Sequence, residues 1–200
     1  MVGIPSPFGG DDGEVFDERE AYVPENLPEP GPFLAETSVL TGEAHVAVHE
    51  VAREVFEERG VYDMTFGYNL ARLNADTRHP NAGYRYAEEA DSNVLRAEFT
   101  PTTPFCPQSH TLTIGSFRAW NGLTDRHEYD VVRIRVHPMH QEAESINRRL
   151  AESEEAYRET GSVPDETTDG RDAVPPAGRS QSKTSGTEHE EAGYGTDAPF

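Results

Sequence analysis

Near-balanced charge and regular apolar spacing coincide in only one stretch of this 200-residue chain, and that limits what can fold. Residues 1–43 carry ten acids against one base, and residues 151–200 carry twelve against four. Between them, residues 44–150 carry 15 acids and 12 bases. A segment of high net charge with few large apolar side chains cannot bury enough surface to offset the entropy lost on ordering. The sequence therefore predicts a folded domain over 44–158. It is flanked by a disordered, acidic, Pro-rich arm (1–43) and a disordered acidic tail (159–200). Pro24, Pro28, Pro30 and Pro32 in the arm oppose both helix and central strand.

Within the domain the spacing of apolar residues assigns the elements. Val48, Val51, Ala52, Val55 and Phe56 share one face of a helix over 44–59, with Gly60 suited to the position past its end. Tyr62 to Leu73 fits a strand or a loop with a short turn. His79-Pro80-Asn81-Ala82-Gly83 is a turn. Tyr84–Glu88 and Val94–Thr100 read as a hairpin, with Leu95, Ala97 and Phe99 alternating with Arg96 and Glu98. A helix is expected from Pro107 to about Trp120, with Cys106 as its N-cap. Tyr129–Val136 is a strand that turns Val132, Ile134 and Val136 one way and Arg133 and Arg135 the other, onto a wet face. Ala143, Ile146, Leu150 and Tyr157 mark a last helix over 142–158. The order α-β-β-α-β-α predicts an α+β domain, a short sheet packed on helices.

Composition excludes several functions. A formal charge of −20 argues against a nucleic-acid partner, because phosphate contacts need clustered Lys and Arg. No run of 18 apolar residues is present and the N-terminus has no signal-peptide pattern, so a cytoplasmic protein without a membrane span is expected. Sixteen of the 17 basic residues are Arg, with Lys183 alone in the tail. An acidic surface nearly without Lys resembles that of proteins from salt-adapted cytoplasms.

Cys106, the only cysteine, is the residue most suited to chemistry. At a helix N-terminus a thiol gains thiolate character, which would speed its alkylation and suit it to soft metals, iron–sulfur units or electrophiles. The plain alternative is a small buried apolar residue. His110 lies four residues on, and His137 and His140 follow the last strand. Both are weak metal-ligand signals. His45 and His49 fit a solvated helix face, and Asn147 reads as a tolerated polar residue. No phosphate loop, nucleophile elbow or Cys-x-x-Cys occurs.

Two segments resemble a known family. Phe99-Thr100-Pro101-Thr102-Thr103-Pro104-Phe105-Cys106 followed by Thr111-Leu112-Thr113-Ile114-Gly115 resembles the signature of the metal–sulfur (iron–sulfur) cluster assembly factors. These include the small subunit of the cytosolic iron–sulfur targeting complex and its prokaryotic relatives. His140-Gln141-Glu142-Ala143-Glu144-Ser145-Ile146-Asn147-Arg148-Arg149-Leu150 resembles the family's second motif. Arg148-Arg149 stand in place of Lys-Gln, and the family's Asp-Pro-Glu turn is replaced by a region that offers Asp63, Asp76 and His79-Pro80. The resemblance implies delivery of iron–sulfur clusters to client proteins or other assembly factors, without enzymatic turnover. It makes Cys106 the functional thiol, in a loop shaped by Thr100, Pro101, Thr102, Pro104 and Pro107. Iron or a cluster would be held transiently by Cys106 with His140. One thiol cannot complete a tetrahedral site, so further ligands would come from a client, a small thiol, His110, or a second copy of the chain in a homodimer. Two other readings remain open: a metal-free interaction adaptor that uses the tails, and a thiol enzyme.

Overall fold

The computed structural model describes residues 15–90 and 92–163. It is an α+β structure. A four-stranded sheet runs β1 (Ser38–Val39), β4 (Gly83–Glu88), β5 (Val94–Thr100), β6 (Val131–Val136), and a two-stranded ribbon pairs β2 (Tyr62–Asp63) with β3 (Tyr68–Asn69). The helices are α1 (Gly42–Arg59), α2 (Ser109–Gly122) and α3 (Ala143–Thr160). β4 and β5 are antiparallel, whereas β5 and β6 are parallel, and α2 lies in the connection between them.

Strand alternation sorts the sheet into two faces. The register aligns Tyr84, Phe99 and Val136 in one row and Tyr86, Ala97 and Ile134 in the next. All six side chains are buried, and Phe56 of α1 packs 5.6 Å from the Tyr84 ring. The α2 sequence is rich enough in β-branched and hydroxyl residues to resemble a strand. Within the helix Thr113 and Ser116 satisfy their hydroxyls by donating to the carbonyls of Ser109 and Leu112 four residues back. Helix α1 ends as expected at Gly60, whose φ of 67° is a left-handed conformation that a residue without Cβ adopts freely.

The opposite face carries Arg85, Glu98 and Arg135 in one row and Ala87, Arg96 and Arg133 in the next. It is not the wet face expected for Arg133 and Arg135. Residues 15–37, expected to be disordered, run across the domain as a strap and cover it. Phe16 bridges to Asp76, the Asp17 amide donates to Ala75, and Leu27 and Leu34 are buried. The Phe33 ring lies 5.2–5.7 Å from the guanidinium groups of Arg96, Arg133 and Arg135, and its carbonyl accepts from Arg96. The Gly31 amide donates to the Glu98 carboxylate at 2.6 Å. A Cβ at Gly31 would meet His137 at 2.5 Å and Glu98 at 2.7 Å, so only glycine lets the strap approach this closely. The strap then pairs as β1 with the edge of β4. The boundary expected at residue 44 thus moves to the start of the described chain. The prolines permit this because the strap makes isolated backbone bonds instead of a continuous ladder. The part of the arm before residue 15 and the tail beyond 163 lie outside the described residues. Helix α3 runs to Thr160 and closes at Gly161.

Three asparagines complete the sheet edges. Asn121 both donates to and accepts from the backbone of Val132, Asn147 does the same at Val136, and Asn74 at Tyr84. Each carboxamide pairs with a peptide group as a neighbouring strand would, leaving those edge positions satisfied. Asn147, expected to be only tolerated, fixes α3 to β6.

His45 and His49 are also corrected: both are buried, with His45 only 3% exposed. The His49 Nε2–H donates to the Ala71 carbonyl, and its Nδ1 accepts from the Tyr86 hydroxyl, so the neutral ring is fully partnered. Burial lowers the pKa of His45 to about 3, with His49 and Arg85 adding to the shift. Burial likewise lowers His49 to about 4, helped by Arg53. No helix among the described residues is long and apolar enough to cross a membrane.

Two outcomes are expected. Leu34→Ala should lower unfolding stability by about 2–4 kcal/mol in urea titrations if the strap is part of the folded unit. A loss below about 0.5 kcal/mol, in the range of surface substitutions, would mean that it is not. Second, because both histidines resist protonation in the folded state, the unfolded chain takes up protons first below about pH 6.5. The stability this pair contributes is complete above that value and falls with pH, by up to about 2.7 kcal/mol per unit for the two together. Urea unfolding between pH 6.5 and 5 measures this, and a flat profile would contradict a buried neutral pair.

Candidate functional site

The parallel β5–β6 pair places two chain segments side by side: residues 101–108, which leave β5, and residues 137–142, which leave β6. The His137 amide donates to Phe99 O at 2.8 Å and continues the pairing past the strand end. Beyond it the two segments are clamped twice. The Gln141 amide donates to Pro104 O at 3.0 Å, and His140 Nε2–H donates to Cys106 O at 3.1 Å. These two carbonyls flank Phe105, whose side chain is 67% exposed. His140 itself is buried, and its Nδ1 accepts from the Glu142 amide. Both ring nitrogens are therefore in use, which fixes the neutral Nε2–H tautomer.

A third segment joins from the β2–β3 turn. Asp63 is buried and caps its own turn, accepting from the amides of Thr65 and Phe66. The Gln108 side chain bridges to the same turn, accepting from the Met64 amide and donating to the Thr65 hydroxyl. Asp76, the other acidic candidate, is committed elsewhere. It accepts from the Tyr68 hydroxyl and from Arg78, and despite the opposing effect of burial these bonds lower its pKa to about 2.

Cys106 does not cap the helix. Helix α2 begins at Ser109, its first i-to-i−4 bond runs from Leu112 to Gln108, and Gln108 takes the N-cap place. A residue before proline is disfavoured from helical geometry, so Pro107 holds Cys106 outside the helix. The turn from Cys106 O to the Ser109 amide separates the thiol from the helix end. The helix dipole acts within the first turn, and Cys106 precedes that turn. The side chain is a free, half-buried thiol.

The other expected residues sort clearly. Thr100 and Pro101 are buried at the base of the loop, Thr102 is half-buried, and Pro104 and Pro107 are exposed on its rim. The structure does bring His140 to Cys106, through the backbone carbonyl and not the sulfur. Among the described residues no group of three His, Cys, Asp or Glu side chains is placed to hold a metal ion. A cluster or iron would therefore meet one thiol here and need its other ligands from outside the described residues.

One feature of the site escaped the sequence. Among the described residues the exposed large hydrophobic side chains are Met64 (81%), Phe105 (67%) and Met139 (37%). Each sits on a different one of the three segments joined around Cys106. Their two thioethers and phenyl ring give the joined segments an exposed apolar rim, and thioethers are of the flexible kind that accommodates varied protein surfaces. Nothing in the local sequence marks this, since the three residues are 34 to 75 positions apart.

The fold and site define an α+β domain that presents a single thiol on a loop at the end of two parallel strands, with exposed apolar residues on that loop and on the two segments joined to it. Residues 14–164 match the model of a family described as a domain of unknown function, DUF7998, and the chain belongs to that family. No curated protein matches the chain.

His140→Ala should remove the clamp on the Cys106 loop, at a cost of about 1–3 kcal/mol to global stability. Local opening should then raise the rate of Cys106 alkylation by roughly threefold or more at a pH and salt where the fold persists. An unchanged rate would show that His140 does not hold the loop.

Proposed function

We propose that this chain is a cytoplasmic iron–sulfur cluster assembly or targeting factor, which presents Cys106 to apo-clients and has no catalytic turnover of its own. The observation that carries the reading is that the exposed large hydrophobic residues among those described, Met64, Phe105 and Met139, lie on the three segments that hydrogen bonds join beside Cys106. The two motifs that resemble the metal–sulfur assembly factors supply its other support, since both of them build this one junction. The first contributes the Thr100–Cys106 loop. The second contributes His140, which clamps the loop, and Asn147, which docks α3 onto β6.

In this reading the cluster or iron is cargo. The Cys106 thiolate provides one ligand, and the apolar rim seats a client whose own cysteines provide the rest. His140 is assigned to positioning, because its lone pair is occupied by the Glu142 amide. Neither nucleic acid nor membrane is a partner in this proposal. The acidic, Lys-poor composition is assigned to life in strong salt.

Anaerobic reconstitution of the full chain with iron and sulfide, in the presence of a client peptide carrying cysteines, tests the proposal. Wild type should develop charge-transfer absorption bands that Cys106→Ser reduces by roughly tenfold or more, since losing a ligand costs at least what losing a ligand's hydrogen-bond partner does. Bands of equal strength in both proteins would remove the thiol from the mechanism. A metal-free adaptor would bind the same peptide equally well with or without Cys106 and without iron.

A further inference from the structure

A second site lies away from the Cys106 junction, beneath the strap. A small, partly open cavity of about 20 Å³ is lined by Asp17, Arg19, His45, His49, Arg53 and Asn74, among others. That is room for one small occupant, since a water needs about 10–15 Å³. Two buried polar atoms of residues lining it have no partner: His45 Nδ1 and Arg53 Nε. The remaining polar groups nearby are already engaged. His49 uses both ring nitrogens, Arg19 pairs with Glu50 at 2.6 Å, Asn74 is bound to the Tyr84 backbone, and Asp17 accepts from Asn26.

The charge around His45 is the unusual part. Arg53 forms no ion pair among the described residues, and neither does Arg85, which acts on His45 from the sheet side and is itself buried with an unpartnered Nε. Glu50 is the carboxylate that acts on Arg53, but it is bonded to Arg19, and Arg85 lies opposite Glu98, so neither Nε has a bonded acceptor. A buried charge is costly unless paired. The acids on the strap side are Asp17, which accepts from Asn26, and Glu18. We propose that this cavity binds a single halide-sized monovalent anion, held by the Arg53 Nε–H and by an Nδ1–H of His45.

The geometry suits such an ion better than a larger oxyanion. The cavity is too small for sulfate or phosphate, and it presents two donors instead of the several that those ions require. The ion would tie helix α1, through His45 and Arg53, to the strap, through the residues at 17–27 that close the cavity. The Tyr22 ring of the strap also packs against His45, at 5.5 Å. Halide binding would therefore stabilise the docked strap.

The probe is bromide. The His45 ring nitrogens are followed by NMR as bromide replaces glutamate at constant ionic strength. Wild type should show a saturable shift at Nδ1, and Arg53→Met should weaken it at least tenfold, with Arg53→Lys as a second variant in case the first does not fold. In bromide-grown crystals an anomalous peak should lie in the cavity. A linear shift equal in wild type and variants, or cavity density with no anomalous signal, would identify a water instead and overturn the proposal.

Discussion

The parallel pairing of β5 with β6 is the constraint on which the site depends. Antiparallel neighbours send their chains out at opposite ends of a sheet, whereas parallel neighbours release both at the same end. Here that end receives the Cys106 loop from β5 and the His140 turn from β6. The bond from the His137 amide to Phe99 O carries the pairing one step beyond the strands, and the Pro104 and Cys106 carbonyls then find their donors on the opposing segment. Phe105 is left pointing outward because the backbone on both sides of it is held.

Stability elsewhere rests on completing a small sheet whose edges would otherwise be open. Asn121 and Asn147 occupy the free side of β6, while Asn74, β1 and the Leu40 amide occupy that of β4. The strap covers the charged face, where Glu89 and Glu154 neutralise Arg96, Arg133 and Arg135. Glu98 remains the strained member of this layer. It is 1% exposed, and burial raises its pKa against the opposing effects of the Gly31 amide and the nearby His137. A carboxyl whose folded pKa is raised costs stability at neutral pH and recovers it in acid, the reverse of the buried histidines.

Much of the fold was legible because its signals are local. The Leu95–Ala97–Phe99 and Val132–Ile134–Val136 alternations and the Ala143–Ile146–Leu150–Tyr157 stripe depend only on the period of each element, and all appear in the structure. The strap was not legible, since its order comes from partners far along the chain: Gly31 with Glu98, Phe33 with three arginines, Phe16 with Asp76. His45 and His49 misled for the same reason. Helical spacing marks a face, but burial of a polar ring needs acceptors and donors such as Ala71 O and the Tyr86 hydroxyl, which no local pattern reveals. Cys106 was placed beside the correct helix but two residues too close. Proline at position 107 favours a helix start while also pushing its predecessor out of helical geometry, and the second effect prevailed.

The central claim is that the rim around Cys106 seats iron–sulfur clients. Affinity capture from native cytoplasm, comparing wild type with Phe105→Asp, tests it most directly, because Phe105 is exposed and its replacement leaves the core intact. The account predicts that wild type retains proteins that carry iron–sulfur clusters and that Phe105→Asp, folded by circular dichroism, loses them. Retention of the same proteins by both, or capture of partners none of which binds iron–sulfur clusters, would contradict it.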